Sequence, residues 1–139
     1  MSYVLVVDDE PAILKAVARI LARHVEVRVA HDSETALRMI RDAQPSVLIC
    51  DVHMSGSSGL SLAERVRDIA PVTAIVFLTG DSDLPRSETF ARGVVAYLVK
   101  PFHGSDLLDA VRAGVKWSQS HYPHAHAIAR SSSGKNSTR

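Results

Sequence analysis

No disulfide can form within this chain, because Cys50 is the one cysteine among 139 residues. It stands in the run Val47, Leu48, Ile49, Cys50, where a small buried hydrophobe is the expected role and a reactive thiol the lesser one. Long apolar runs are missing as well, and those present are far too short to cross a bilayer. Met1 leads directly into a strand-like segment, without a basic region and a leader-like apolar core, so a cytoplasmic protein with no membrane attachment is expected. Acids are absent from residues 119–139, which hold Arg130, Lys135 and Arg139, while residues 1–118 hold all 15 acidic side chains and 13 basic ones. The formal charge of +1 therefore conceals a mildly acidic body and a basic end. That body lacks the basic stripe that tracks nucleic acid, and no direct nucleic-acid binding is expected.

What is present is an ordinary globular composition, 46% apolar, at a length that suits one domain able to cover a sheet on both faces. Residues 3–7 read as a first strand. Pro11 then fits the first turn of a helix to about Arg23, with Ile13, Leu14, Val17, Ile20 and Leu21 on one face. Residues 25–30 alternate Val25, Val27 and Val29 against Glu26 and Arg28, the pattern of a strand near a sheet edge. Asp32 or Ser33 caps a second helix, and Pro45 interrupts it before a short central strand at 47–50. A Ser and Gly loop at 54–59, a helix at 60–69 and a strand at 73–78 follow. Residues 84–92 carry only a weak helical period, residues 94–99 form a last strand, and a last helix runs from Gly104 to about Trp117. Five strands alternating with five helices predict a three-layer α/β sandwich. The division expected is a folded unit over 1–118 and a flexible polar tail over 119–139.

Asp8, Asp9, Asp51, Thr79 and Lys100 each follow a run rich in Val, Ile and Leu. Parallel strands put such residues on one sheet edge, where α/β proteins build their binding sites. Three carboxylates close together repel one another and lose water, a cost that a hard cation such as Mg²⁺ or Mn²⁺ offsets. The blander alternative makes the acids at 8–10 simple first-turn residues of a helix, yet Asp51 at a second strand end argues against it. Asp51 then serves as a metal ligand only, or as a nucleophile that accepts a phosphoryl group. Thr79 offers a short hydroxyl to a phosphoryl oxygen, and Lys100 a mobile point charge.

These residues sit in VLVVDDEP (4–11), LICDVHM (48–54), GL (59–60), FLTG (77–80) and AYLVKPF (96–102), and with them the sequence resembles the receiver domain of two-component response regulators over about residues 3–117. The resemblance implies a doubly wound, flavodoxin-like (CheY-like) parallel sheet of five strands in the order 2-1-3-4-5. It implies Asp51 as phosphoacceptor, Asp9 as a direct Mg²⁺ ligand, Asp8 as a water-mediated one and the backbone carbonyl of His53 as a further ligand. Thr79 and Lys100 would bind the phosphoryl group, Tyr97 would swing inward behind the threonine, and the bond between Lys100 and Pro101 would be cis. The implied donor is a sensor histidine kinase or a histidine phosphotransfer protein, and the implied output is a changed protein contact with a downstream target, or a homodimer. The chain would be a signalling phosphoacceptor and not an enzyme acting on other substrates. The surface between the weak helix, the last strand and the last helix would carry the readout.

Departures from the family pattern are Ser55, where proline is common, and His53 and Asp81 at the variable flanks of the site. The stretch LTGDSDLP (78–85) is similar to the subgroup that regulates transcription through a helix-turn-helix partner domain, for which the remaining chain is too short. A stand-alone receiver and a piece of a longer protein are both compatible with that. A dehalogenase-like hydrolase would want Asp-x-Asp after the first strand, whereas Asp8 and Asp9 are adjacent. A flavodoxin-like electron carrier would want a Ser/Thr/Gly-rich phosphate loop there, and the acids would repel a flavin phosphate. His121, His124 and His126 lack the fixed spacing of a metal site.

Overall fold

Along the chain the elements are β1 (Val4–Val7), α1 (Pro11–Leu21), β2 (Val27–Ala30), α2 (Ser33–Asp42), β3 (Val47–Asp51), β4 (His53–Met54), β5 (Ser57–Ser58), α3 (Gly59–Ile69), β6 (Ala74–Thr79), β7 (Val94–Val99) and α4 (Gly104–Ser133). The computed structural model describes residues 2–54, 56–80 and 93–133, with backbone alone for residue 57 and residues 122–133. Five strands form one parallel sheet in the order β2-β1-β3-β6-β7. Counting only these five, the order is the expected 2-1-3-4-5. The weak helix expected at 84–92 lies outside the described residues.

Side-chain alternation divides the apolar residues of the sheet between two cores. Leu5, Val7, Leu48, Cys50, Ile75 and Phe77 face α2 and α3, where Leu37, Ile40, Leu62 and Val66 meet them. Val4, Val6, Ile49, Val76 and Leu78 face α1 and α4, where Leu14, Val17, Leu21 and Leu107 close the other layer. Covered on both faces, β1, β3 and β6 are buried at every residue, which is why they read as unbroken apolar runs. Strand β2 is at an edge, and Arg28 and Val29 in it are exposed.

Local chemistry sets the helix starts. Pro11 opens α1 at a position where its missing N–H costs nothing. Asp32 caps α2 by accepting from the Thr35 N–H at 2.7 Å, and Ser58 caps α3 through the Leu60 N–H at 3.0 Å.

Element ends shift by a residue or two from the sequence expectation, and three departures have a local cause. Strand β2 begins at Val27, because the Val25 N–H still bonds to the Leu21 carbonyl at the end of α1, 3.0 Å away. The loop at 54–59 contains a two-stranded antiparallel ribbon, β4 with β5, turned at Gly56 with φ 74°. The last helix does not stop near Trp117 but continues to Ser133. Residues 118–120 contain no glycine or proline to end it, and the Ser120 hydroxyl donates back to the Trp117 carbonyl at 2.9 Å. No helix among the described residues is long and apolar enough to cross a membrane.

Candidate phosphoryl and metal site at the strand ends

Because the strands are parallel, their carboxyl ends share one edge. Asp8 and Asp9 follow β1, Asp51 closes β3, Thr79 closes β6 and Lys100 follows β7. The Lys100 N–H donates to the Thr79 carbonyl at 2.7 Å, which continues the ladder one residue past β7 and fixes where the lysine leaves the sheet. The bond between Lys100 and Pro101 is cis, as the resemblance implied.

The side chains of three of these residues meet. Lys100 Nζ lies 2.7 Å from Asp51 Oδ2 and 3.6 Å from Asp8 Oδ2, so one ammonium is shared by two carboxylates. Asp51 Oδ1 accepts from the His53 N–H at 2.9 Å, and Asp8 Oδ1 accepts from the Glu10 N–H at 2.9 Å. Both acids are buried, Asp8 completely and Asp51 to all but 6%. Burial raises the Asp8 carboxyl from the usual 3.8 to about 6, and the neighbouring Asp51 adds to the rise against the pull of the Glu10 amide and of Lys100. Burial alone would lower the Lys100 ammonium, but the hydrogen bond and charge of Asp51, with Asp8 and Glu10, leave it raised.

Thr79 is buried at the end of β6. Asp9 lies half-buried between β1 and α1. Tyr97 is half-buried on β7, its ring against Phe77 of β6 with centroids 5.4 Å apart and planes tilted by 37°. It lies on the face covered by α2 and α3. His53 presents its backbone to the site and an exposed residue to the rim. Ser55 and Asp81 lie outside the described residues.

Cys50 is fully buried, and its thiol is pushed far up, by burial first and then by Asp51 and Asp8, which suits a packing role.

Two residues come to the site that reasoning along the chain left without a role there. Glu10 Oε1 lies 4.0 Å from Lys100 Nζ, although an acid next to Pro11 reads as an ordinary helix start. Gly59 packs so closely under β3 that a Cβ there would collide with the Asp51 carbonyl oxygen and stand 2.9 Å from its carbon. The only sequence signal for that contact is the glycine itself. Any other residue would push against β3.

Among the described residues no three His, Cys, Asp or Glu side chains stand together in a geometry ready to hold a metal. Here the Lys100 ammonium lies between the carboxylates. The donor set nevertheless fits a hard cation. Asp8 Oδ2 is buried without a hydrogen-bond partner among the described residues, and its oxygen chemistry is that of Mg²⁺ or Mn²⁺ ligands. His121 stacks on Trp117, ring centroids 3.9 Å apart, far along the chain from these residues, and the side chains of His124 and His126 are outside the described residues.

The response regulator receiver domain model matches residues 4–112. Over 113 residues the chain is 34% identical to the positive alginate biosynthesis regulatory protein of Pseudomonas aeruginosa, covering 78% of this chain and 45% of that protein. It is 36% identical over 113 residues to the transcriptional regulatory protein TrcR of Mycobacterium tuberculosis, covering 78% of this chain and 43% of that one. The chain thus spans about half the length of these curated relatives. Among solved structures, the response regulator TrrA of Thermotoga maritima in complex with Mg²⁺-BeF is 30% identical, with a TM-score of 0.73 over 82% of this chain and 99% of that one.

Proposed function

The chain belongs to the response regulator receiver domain family, and from that premise we propose that it is a phosphoacceptor of two-component signalling that takes a phosphoryl group on Asp51. The observation that carries the reading is the Asp51 carboxylate. It closes a buried strand, one oxygen on the His53 N–H and the other on Lys100 Nζ, with Asp8 beside it.

In the proposed reaction an Asp51 carboxylate oxygen attacks the phosphorus of a phosphohistidine on a sensor kinase or phosphotransfer protein. The new O–P bond makes an acyl phosphate as the N–P bond breaks, and the imidazole leaves with its electron pair. Lys100 is already within 2.7 Å of the acceptor, so a small movement gives its charge to a phosphoryl oxygen. The Thr79 hydroxyl serves a second oxygen. Asp8, Asp9, Asp51 and the His53 carbonyl would hold Mg²⁺, which supplies positive charge against the crowded carboxylates and the incoming oxygens. A relative of similar fold carries Mg²⁺ and a phosphoryl mimic together, which supports the pairing. Tyr97 is the proposed switch, because it shares a ladder with the strand that ends in Thr79 and precedes Lys100 by three residues.

The output is a change in protein contacts by a cytoplasmic receiver unit over 1–118 with a C-terminal extension over 119–139. Self-association or a downstream protein target is the proposed readout, through the surface of β7 and α4, where a groove of about 480 Å³ is lined by Ala96, Leu98, Phe102 and Ala110.

Intact mass after incubation with acetyl phosphate and Mg²⁺ tests the reading. A labile gain of one phosphoryl group, lost in Asp51→Asn, is expected. An identical mass with and without the donor would overturn it.

A further inference from the structure

Glu10 has no part in the chemistry proposed above, yet it stands at the mouth of the site. It is the N-cap residue of α1, and its side chain makes no capping bond, which leaves the carboxylate to other partners. Instead Glu10 Oε1 lies 4.0 Å from Lys100 Nζ, on the solvent side, with the Glu10 side chain 65% exposed against 0% for Asp8. Its own N–H donates to Asp8 Oδ1 at 2.9 Å, so the same residue orients a buried carboxylate and offers an outer one. Lys100 is therefore bracketed by inner partners at 2.7 and 3.6 Å and an outer one at 4.0 Å.

We propose that Glu10 is a positioning residue for Lys100, taking over the ammonium when the oxygens of Asp8 and Asp51 are given to a divalent cation. The inference rests on the phosphoacceptor reading. A lysine driven off two buried carboxylates needs a counter-charge within reach, since a partly buried ammonium without a partner is costly. Glu10 supplies one without the lysine crossing open solvent. An exposed ion pair is weak, which suits a holding position that must give the lysine up again to a phosphoryl oxygen. Because the pair at Glu10 compensates the lysine for what it loses at Asp8 and Asp51, Glu10 makes the site easier for Mg²⁺ to enter.

A double-mutant cycle on Mg²⁺ affinity, measured by calorimetry on the full chain, tests this. Glu10→Gln is expected to weaken Mg²⁺ binding about threefold, the scale of one exposed ion pair. In a Lys100→Met background the same substitution should change affinity by less than half as much on the logarithmic scale, because no ammonium remains to be housed. An equal loss in both backgrounds would mean that Glu10 acts on the cation by its charge alone, and would overturn the proposal, as would no loss in either.

The ¹⁵N resonance of Lys100 Nζ in Mg²⁺ gives an independent readout. It should differ between wild type and Glu10→Gln and return toward the wild-type position in Glu10→Asp, whereas coincidence of all three overturns the assignment. The two readings fail differently. Wild-type protein that binds no Mg²⁺ and takes no phosphoryl group defeats both, while wild-type protein that does both, with an unaltered Glu10→Gln, defeats this one alone.

Discussion

Strand β3 ends in a residue of the site and β7 is followed directly by one, and the two strands are built in opposite ways. β3 is paired on both sides, by β1 and β6, and is buried at all five residues up to Asp51. β7 lies at the sheet edge, is half-buried at all six residues, and pairs with β6 through a register shift between Ile75 and Val76. The proposed acceptor is thus anchored in a strand that is buried throughout and paired on both sides. The proposed responders, Tyr97 in β7 and Lys100 just after it, belong to a strand that is paired on one side only among the described residues. Local stability follows burial and pairing, so a ligand at the strand ends has a firm reference on one side and an adjustable element on the other.

The largest effect expected at this contrast is chemical. Asp51→Asn should abolish the phosphoryl adduct in intact mass, whereas Lys100→Ala should keep the adduct and slow its formation about 10²-fold, the cost of removing one charge-stabilising donor. Complete loss in both would erase the distinction between acceptor and responder.

The packing difference is tested next. Leu48→Ala in β3, at a fully buried position, should cost about 2–5 kcal/mol in urea unfolding. Val95→Ala in β7, half-buried, should cost roughly 0.5–1 kcal/mol. Equal costs would show that the two strands are equally held.

A third test uses pH on metal-free protein. The Asp8 carboxyl is raised in the fold from 3.8 to about 6, so the folded state binds its proton more tightly than the unfolded chain does. Its contribution to stability is therefore complete below about pH 4 and is lost as pH rises through about 6, by up to about 3 kcal/mol. Unfolding free energies in a chelator at pH 4 and pH 7.5 should show most of this fall, and Asp8→Asn should flatten it. A fall of the same size in the mutant would place its origin elsewhere.

The last test concerns a single close contact under β3. Gly59→Ala should destabilise by about 1–3 kcal/mol, because its methyl meets the Asp51 carbonyl. The urea midpoint reads that loss, and the adduct should still form on the folded fraction. A substitution without cost would mean that the acceptor strand yields more than its burial implies.

Much of the sheet was legible along the chain because strand-length apolar runs and their polar closing residues are local patterns. The runs before Asp51 and Thr79 are examples, since a strand covered on both faces shows itself as an unbroken apolar stretch. The β4 and β5 ribbon was not legible, since two-residue strands leave no period in a Ser and Gly segment. The length of α4 was missed for the opposite reason. Polar residues after Trp117 end the apolar period that marks packing, but they contain nothing that ends a helix before residue 121.

By itself the sequence determined the order of the elements, the alternation that divides the sheet between two cores, and the set of polar residues that close the strands. Each of these depends on neighbours a few positions apart. Which carboxylates the lysine meets was decided only by the tertiary structure. Lys100 is 49 residues from Asp51, and its approach to Asp51, Asp8 and Glu10 depends on strand order, register and helix entry together. Contacts across such separations exist only once the sheet has closed, and no local pattern encodes a distance that several strands must set jointly.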